Sequence, residues 1–102
     1  MSGKGSKAEG PIKPAVDGAV LDSGGRELKK GLWEVGVYWG TDGFVYHIAA
    51  EAKGSGIRHR IISKRPVGEY LRWVDGLFRP GEVPSESTGI HYRAARKLRE
   101  LI

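Results

Sequence analysis

Apolar side chains fall on alternate positions between residues 32 and 39: Trp33, Val35, Val37 and Trp39 are odd, while Glu34, Gly36 and Tyr38 are even. A period of two predicts a half-buried β-strand. After Gly40-Thr41-Asp42-Gly43 the alternation resumes, with Phe44, Tyr46, Ile48 and Ala50 on one face and Val45, His47, Ala49 and Glu51 on the other. A four-residue loop pairs Trp39 with Phe44, and the same ladder sets Tyr38 beside Val45, Gly36 beside His47 and Leu32 beside Glu51. In this register the two apolar faces coincide. A slip of one residue would turn the Trp and Val side chains into water.

Lys53-Gly54-Ser55-Gly56 is a second turn signal, and residues 57–64 read as a third strand. Pairing Ala52 with Ile57 sets Glu51 opposite Arg58, Ala49 opposite Arg60, His47 opposite Ile62 and Ile48 opposite Ile61. The expected sheet has one apolar side and one open side that carries Tyr38, Glu34, His47, Glu51, Arg58 and Arg60. Upstream, residues 15–21 are short and weakly apolar and could add an edge strand, with Asp22-Ser23-Gly24-Gly25 as the turn after them. Residues 26–30 fit a loop or one helical turn, and the pattern does not decide between them.

The period changes after Pro66, which suits a helix start because its missing donor costs nothing there. Val67, Tyr70, Leu71, Val74, Leu77 and Phe78 recur at three-and-four spacing, with Glu69, Arg72 and Asp75 opposite. This helix is expected to cover the apolar face of the sheet. Arg79-Pro80-Gly81 ends it. Ser87 or Thr88 can cap a second helix whose stripe is Ile90, Ala94, Leu98, Leu101 and Ile102, with Arg93, Arg96, Lys97 and Arg99 mostly outside it. The fold class expected is α+β: a three- or four-stranded antiparallel β-meander with two C-terminal helices packed on one face.

The chain has 102 residues, which fits a single domain with one core. Residues 1–14 hold Gly, Ser, Lys and Pro with Ile12 as the single branched aliphatic residue, so they are expected to form a disordered basic tail, leaving residues 15–102 as the domain. The absence of Cys removes disulfides, thiolate catalysis and sulfur-ligated zinc. No apolar run reaches the roughly 18 residues of a membrane span, and no signal-peptide core is present, so a cytoplasmic protein is expected. Net charge is +5, spread along the chain, which permits contact with nucleic acid or an acidic protein surface without naming a reader of either.

No residue pattern points to catalysis. His47, His59 and His91 are isolated in sequence, without the spacing of a metal site, and no Ser sits in a nucleophile elbow. No metal, cofactor or catalytic residue is expected, and His59 is expected on the core side as a structural histidine. Trp33 and Trp39 share the parity of Val35 and Val37, which favours a core role over stacking on bases. The last helix has Arg residues but lacks the Asn or Gln that often accompany base readout.

Val37-Tyr38 at the end of the first hairpin strand, Glu51 late in the second, and Trp73 with Gly76-Leu77 at the end of the first helix fall in an order and spacing that resembles the small type I-F anti-CRISPR proteins. The likeness runs from about residue 35 to 101. It implies an antiparallel sheet with two helices on one face, and a phage-encoded inhibitor that binds the backbone subunits of a CRISPR surveillance complex and blocks pairing of guide RNA with target DNA. It also implies binding through the open sheet face, with Tyr38 and Glu51 contacting basic groups. Arg58 and Arg60 depart from that pattern, since both would repel a basic partner.

The expectation is a non-enzymatic binding protein whose partner surface comprises Tyr38, Glu51, Glu34 and His47. The alternative is a small basic DNA- or RNA-binding regulator of phage or plasmid origin, using Arg58, Arg60, Arg93, Arg96 and Lys97 on phosphates. A structural component of a phage or plasmid particle is a third reading.

Overall fold

A computed structural model describes residues 18–85 and 88–102 of the chain; the basic tail expected over residues 1–14 lies outside them. Among the described residues five strands precede two helices: β1 (Gly18–Ser23), β2 (Glu27–Lys29), β3 (Leu32–Gly40), β4 (Phe44–Lys53), β5 (Gly56–Pro66), α1 (Val67–Asp75) and α2 (Gly89–Leu101). All strand pairs are antiparallel, in the order β1-β3-β4-β5. β2 shares with β1 the outer edge of β3, lying against Leu32 and Trp33 while β1 lies against residues 36–40. The α+β class and the helical layer are therefore as expected. The sheet gains β2 where the pattern left a loop or a helical turn open.

The β3–β4 hairpin turns one residue tighter than the expected four-residue loop. Gly43 adopts φ +88°, a left-handed conformation that favours glycine, and its N–H donates to the Gly40 carbonyl at 2.9 Å. The Asp42 carboxylate braces this loop by accepting from the Phe44 N–H at 3.1 Å and from the Tyr46 hydroxyl. Trp39 thus pairs with Val45, Tyr38 with Tyr46 and Val37 with His47. A bulge at Val35 absorbs the offset, so that Glu34 pairs with Ala49 and Leu32 meets Glu51 as expected.

This one-residue difference corrects the assignment of faces. Val37, Trp39, Val45 and His47 point to the same side, together with Glu34 and Ala49, and that is the side the helices cover. Val35, Tyr38, Tyr46, Ile48 and Ala50 form a separate apolar cluster on the opposite side, with Phe44 packed against it. The helices therefore lie on the face expected to be open. Among the described residues, no helix lies on the face expected to be covered.

β4 and β5 match the expected ladder through Glu51–Arg58, Ala49–Arg60 and Ile48–Ile61, after which a bulge makes Ser63, not Ile62, the neighbour of His47. His59 stands beside Ala50 on the helix-free side, half-buried, and is not in the core under the helices.

The helical layer is built from the expected stripes. α1 buries Tyr70 and Val74, with Val67, Leu71 and Trp73 packed partly against the core; it ends at Asp75, before the expected stop at Arg79-Pro80-Gly81, so Phe78 packs on the core from beyond the helix. α2 buries Ile90, Ala94, Ala95 and Leu98; Ile90 and Leu98 are almost fully enclosed and contribute ~1.5–3 kcal/mol each by burial. Leu101 and Ile102 are exposed, contrary to the expected stripe. α2 lies over β1 and β3, and α1 over β4 and β5. Thr88 stands at the N-cap of α2, yet its hydroxyl accepts from the Ser85 N–H at 3.2 Å and makes no capping bond to the helix. No described helix is long and apolar enough to cross a membrane.

Candidate functional site

Four of the expected site residues, Tyr38, Glu51, Glu34 and His47, do not form one exposed surface. Glu34 and His47 sit beneath the helices, exposed by only 4% and 9%. His47 Nε2–H donates to Glu34 Oε2 at 2.9 Å, and the Arg26 guanidinium approaches the same oxygen at 3.9 Å. The His47 ring meets the His91 ring edge-on, 4.7 Å between centroids, and the Tyr70 hydroxyl lies 2.9 Å from His91 Nδ1. Trp73 closes the group with an edge contact to His91 at 4.9 Å. A polar chain thus runs through the interior from Arg26 through Glu34, His47 and His91 to Tyr70, tying β3 and β4 to both helices.

Burial shifts the protonation of the His91 and Tyr70 end of this chain. His91, 6% exposed, has its pKa lowered to about 4, first by desolvation and then by the His47 and Arg65 charges. Desolvation likewise pushes the Tyr70 hydroxyl well above its usual range. The carboxylate–imidazole pair has the form of an oriented general base. Among the described residues this pair is enclosed beneath the helices, with the His91 ring against the His47 ring. Among the described residues no group of three or more His, Cys, Asp or Glu is arranged to hold a metal ion. Its hydrogen bonds satisfy buried polar groups of Glu34, His47, Tyr70 and His91 where the helices meet the sheet.

Tyr38 lies on the other side of the sheet, 8% exposed among Val35, Tyr46 and Ile48, and burial raises its pKa. Glu51 shares the helix side with Arg58 and Arg60 and accepts from Arg58 Nη2 at 3.2 Å and Arg60 Nη1 at 3.3 Å. The Arg58 hydrogen bond is the main cause that holds its carboxyl below the usual range. Tyr38 and Glu51 therefore sit on opposite faces.

The cations divide in the same way. Arg58 and Arg60 are on the β5 edge, whereas Arg93, Arg96 and Lys97 project from α2 above β1. Three strand spacings, about 14 Å, separate these edges. Arg93 Nε donates to Asp22 Oδ2 at 3.0 Å, and the Arg96 guanidinium lies 6.0 Å from the Tyr92 ring centroid. Arg93, Arg96 and Lys97 do come together around a 240 Å³ hollow, with Leu21 and Glu100.

The surface that remains is the helix-free face. Among the described residues no helix or strand lies over it. Its buried centre of Tyr38, Tyr46 and Ile48 is rimmed by Val20, Ile57 and Ile61, which are 52%, 60% and 56% exposed, and by Trp33 at 37%. The Lys64 ammonium stands 4.6 Å over the Phe44 ring and 5.5 Å over the Tyr46 ring, giving this apolar face a cationic margin. Sequence reasoning missed this surface because Trp33, Val35 and Ile61 read as core. It also missed His91, whose signal was only its place between Ile90 and Ala94 on the buried arc of α2. Comparison with protein-family models, with curated proteins and with solved structures returns no match.

Proposed function

We propose that this chain is a non-enzymatic binding protein that docks a protein partner through the helix-free face of its sheet. In line with the resemblance to type I-F anti-CRISPR proteins, the partner is a CRISPR effector complex, and docking by this phage-encoded inhibitor blocks recognition of target DNA. One observation supports the reading above others: a face rich in exposed Val, Ile and Trp surrounds an aromatic centre, while the titratable groups that could do chemistry are enclosed. The contact residues assigned here are Val20, Trp33, Ile57 and Ile61. They replace Glu34 and His47, which lie under the helices, and Glu51, which lies on the opposite face.

Co-expression with a type I effector complex tests it. The protein is expected to co-purify with the complex after nuclease treatment and to suppress interference, and Trp33→Ala or Ile61→Glu is expected to abolish both. No interference phenotype across type I systems would overturn the reading.

The hollow formed by Arg93, Arg96 and Lys97 favours a second reading, a small regulator that contacts DNA or RNA phosphates through α2. Its binding would weaken steeply with added salt as counterions are released, so a flat salt response removes it.

A further inference from the structure

β5 is the last strand in the sheet order, and among the described residues it is paired on one side only, by β4. None of its 11 residues is buried. Every second residue of an antiparallel edge strand turns its N–H and C=O outward, so β5 presents roughly five such residues to a newcomer. Its side chains are sorted by face. Arg58, Arg60 and Arg65 point to the helix side, and Ile57 and Ile61 to the helix-free side.

The charges on this edge select among occupants. Arg58 and Arg60 share one carboxylate, Glu51, which leaves a net positive charge and unused guanidinium donors. A second copy of β5 would set guanidinium against guanidinium, so self-pairing is opposed. Cations and the bulge at Ile62 would suffice to protect an edge, but protection does not call for isoleucines exposed by 60% and 56%. An extended segment with carboxylates on one side and apolar residues on the other answers both features together.

We infer that β5 is a strand-addition site for an extended segment of alternating acidic and apolar residues. The acidic side chains pair with Arg58 and Arg60, the apolar ones cover Ile57 and Ile61, and the backbone continues the sheet. This rests on the reading of the chain as a docking protein and adds the chemistry of what one edge accepts.

The test uses the full chain and a labelled peptide of about ten residues alternating Glu and Val, followed by fluorescence anisotropy. The peptide is expected to bind and to protect outward-facing β5 amides from hydrogen exchange. N-methylation of the peptide amides along one edge is expected to weaken binding about tenfold or more, and the Arg58→Gln/Arg60→Gln double variant by a similar factor. Both arginines are exposed, so the variant retains its fold, which the amide spectrum verifies. Equal binding by the N-methylated peptide, or tighter binding by an oligothymidylate of equal charge, would overturn the inference, the latter in favour of nucleic acid. Leu101→Ala, exposed on α2 and outside both proposed contacts, is expected to leave peptide binding unchanged. Wild-type protein that binds the peptide but does not co-purify with the effector removes only the proposed partner, and the converse result removes only the β5 site.

Discussion

Acid should loosen this fold well before its surface carboxylates titrate, and His91 is the cause. Its imidazole is held neutral between His47 on β4, Arg65 on β5, and Tyr70 and Trp73 on α1, with Glu34 of β3 behind His47. In the unfolded chain it accepts a proton near pH 6.5, but in the fold only near pH 4. Because the folded value is the lower one, the unfolded state binds the proton first, and stability falls as pH drops through this window. Each pH unit is worth ~1.4 kcal/mol, so the loss attributable to His91 is about 2 kcal/mol at pH 5 and approaches about 3 kcal/mol near pH 4. For a small domain of ordinary stability this is a large share. Urea titrations followed by tryptophan fluorescence from pH 7.5 to 4.5 measure it, with Trp73 as a reporter beside the ring. The control is His91→Asn, whose side-chain carbonyl can take the Tyr70 hydrogen bond but cannot titrate. Its stability is expected to be flatter with pH by about 2–3 kcal/mol across the range. A variant profile parallel to that of the wild type would refute the reasoning.

Three further outcomes follow from the packing. Glu34→Ala removes the enclosed carboxylate that pairs with His47 and Arg26, and it is expected to cost about 3 kcal/mol in urea unfolding. Gly36→Ala would bring a Cβ within 2.6 Å of the Asp22 carbonyl and 3.3 Å of the Tyr38 ring, so a loss of roughly 1–3 kcal/mol and a lower Tm are expected. Leu98→Ala, at a fully enclosed position, is expected to cost about 2–5 kcal/mol, whereas Leu101→Ala, 45% exposed, should stay within about 0.5 kcal/mol of the wild type.

The sequence by itself determined the elements that depend on neighbours along the chain. Alternation at Val35, Val37 and Trp39 marked β3, Gly54 marked the β4–β5 turn, and Tyr70 with Val74 and Ile90 with Ala94 and Leu98 marked the buried stripes of two helices. The β4–β5 ladder from Ala52 to Ile48 was also legible, because a tight turn sets its register locally. Which face those helices cover was decided only in three dimensions. β4 is apolar on both sides, with Phe44, Tyr46 and Ile48 on one and Val45 and Ala49 on the other, so its pattern holds no preference. Left-handed Gly43 and the bulge at Val35 then settled the parity of β3, and with it the separation of Tyr38 from Glu51. The pairing of His47 with Glu34 and His91 arises the same way. Contacts across strands and between layers depend on register and docking, which a one-residue shift inverts and no local pattern records.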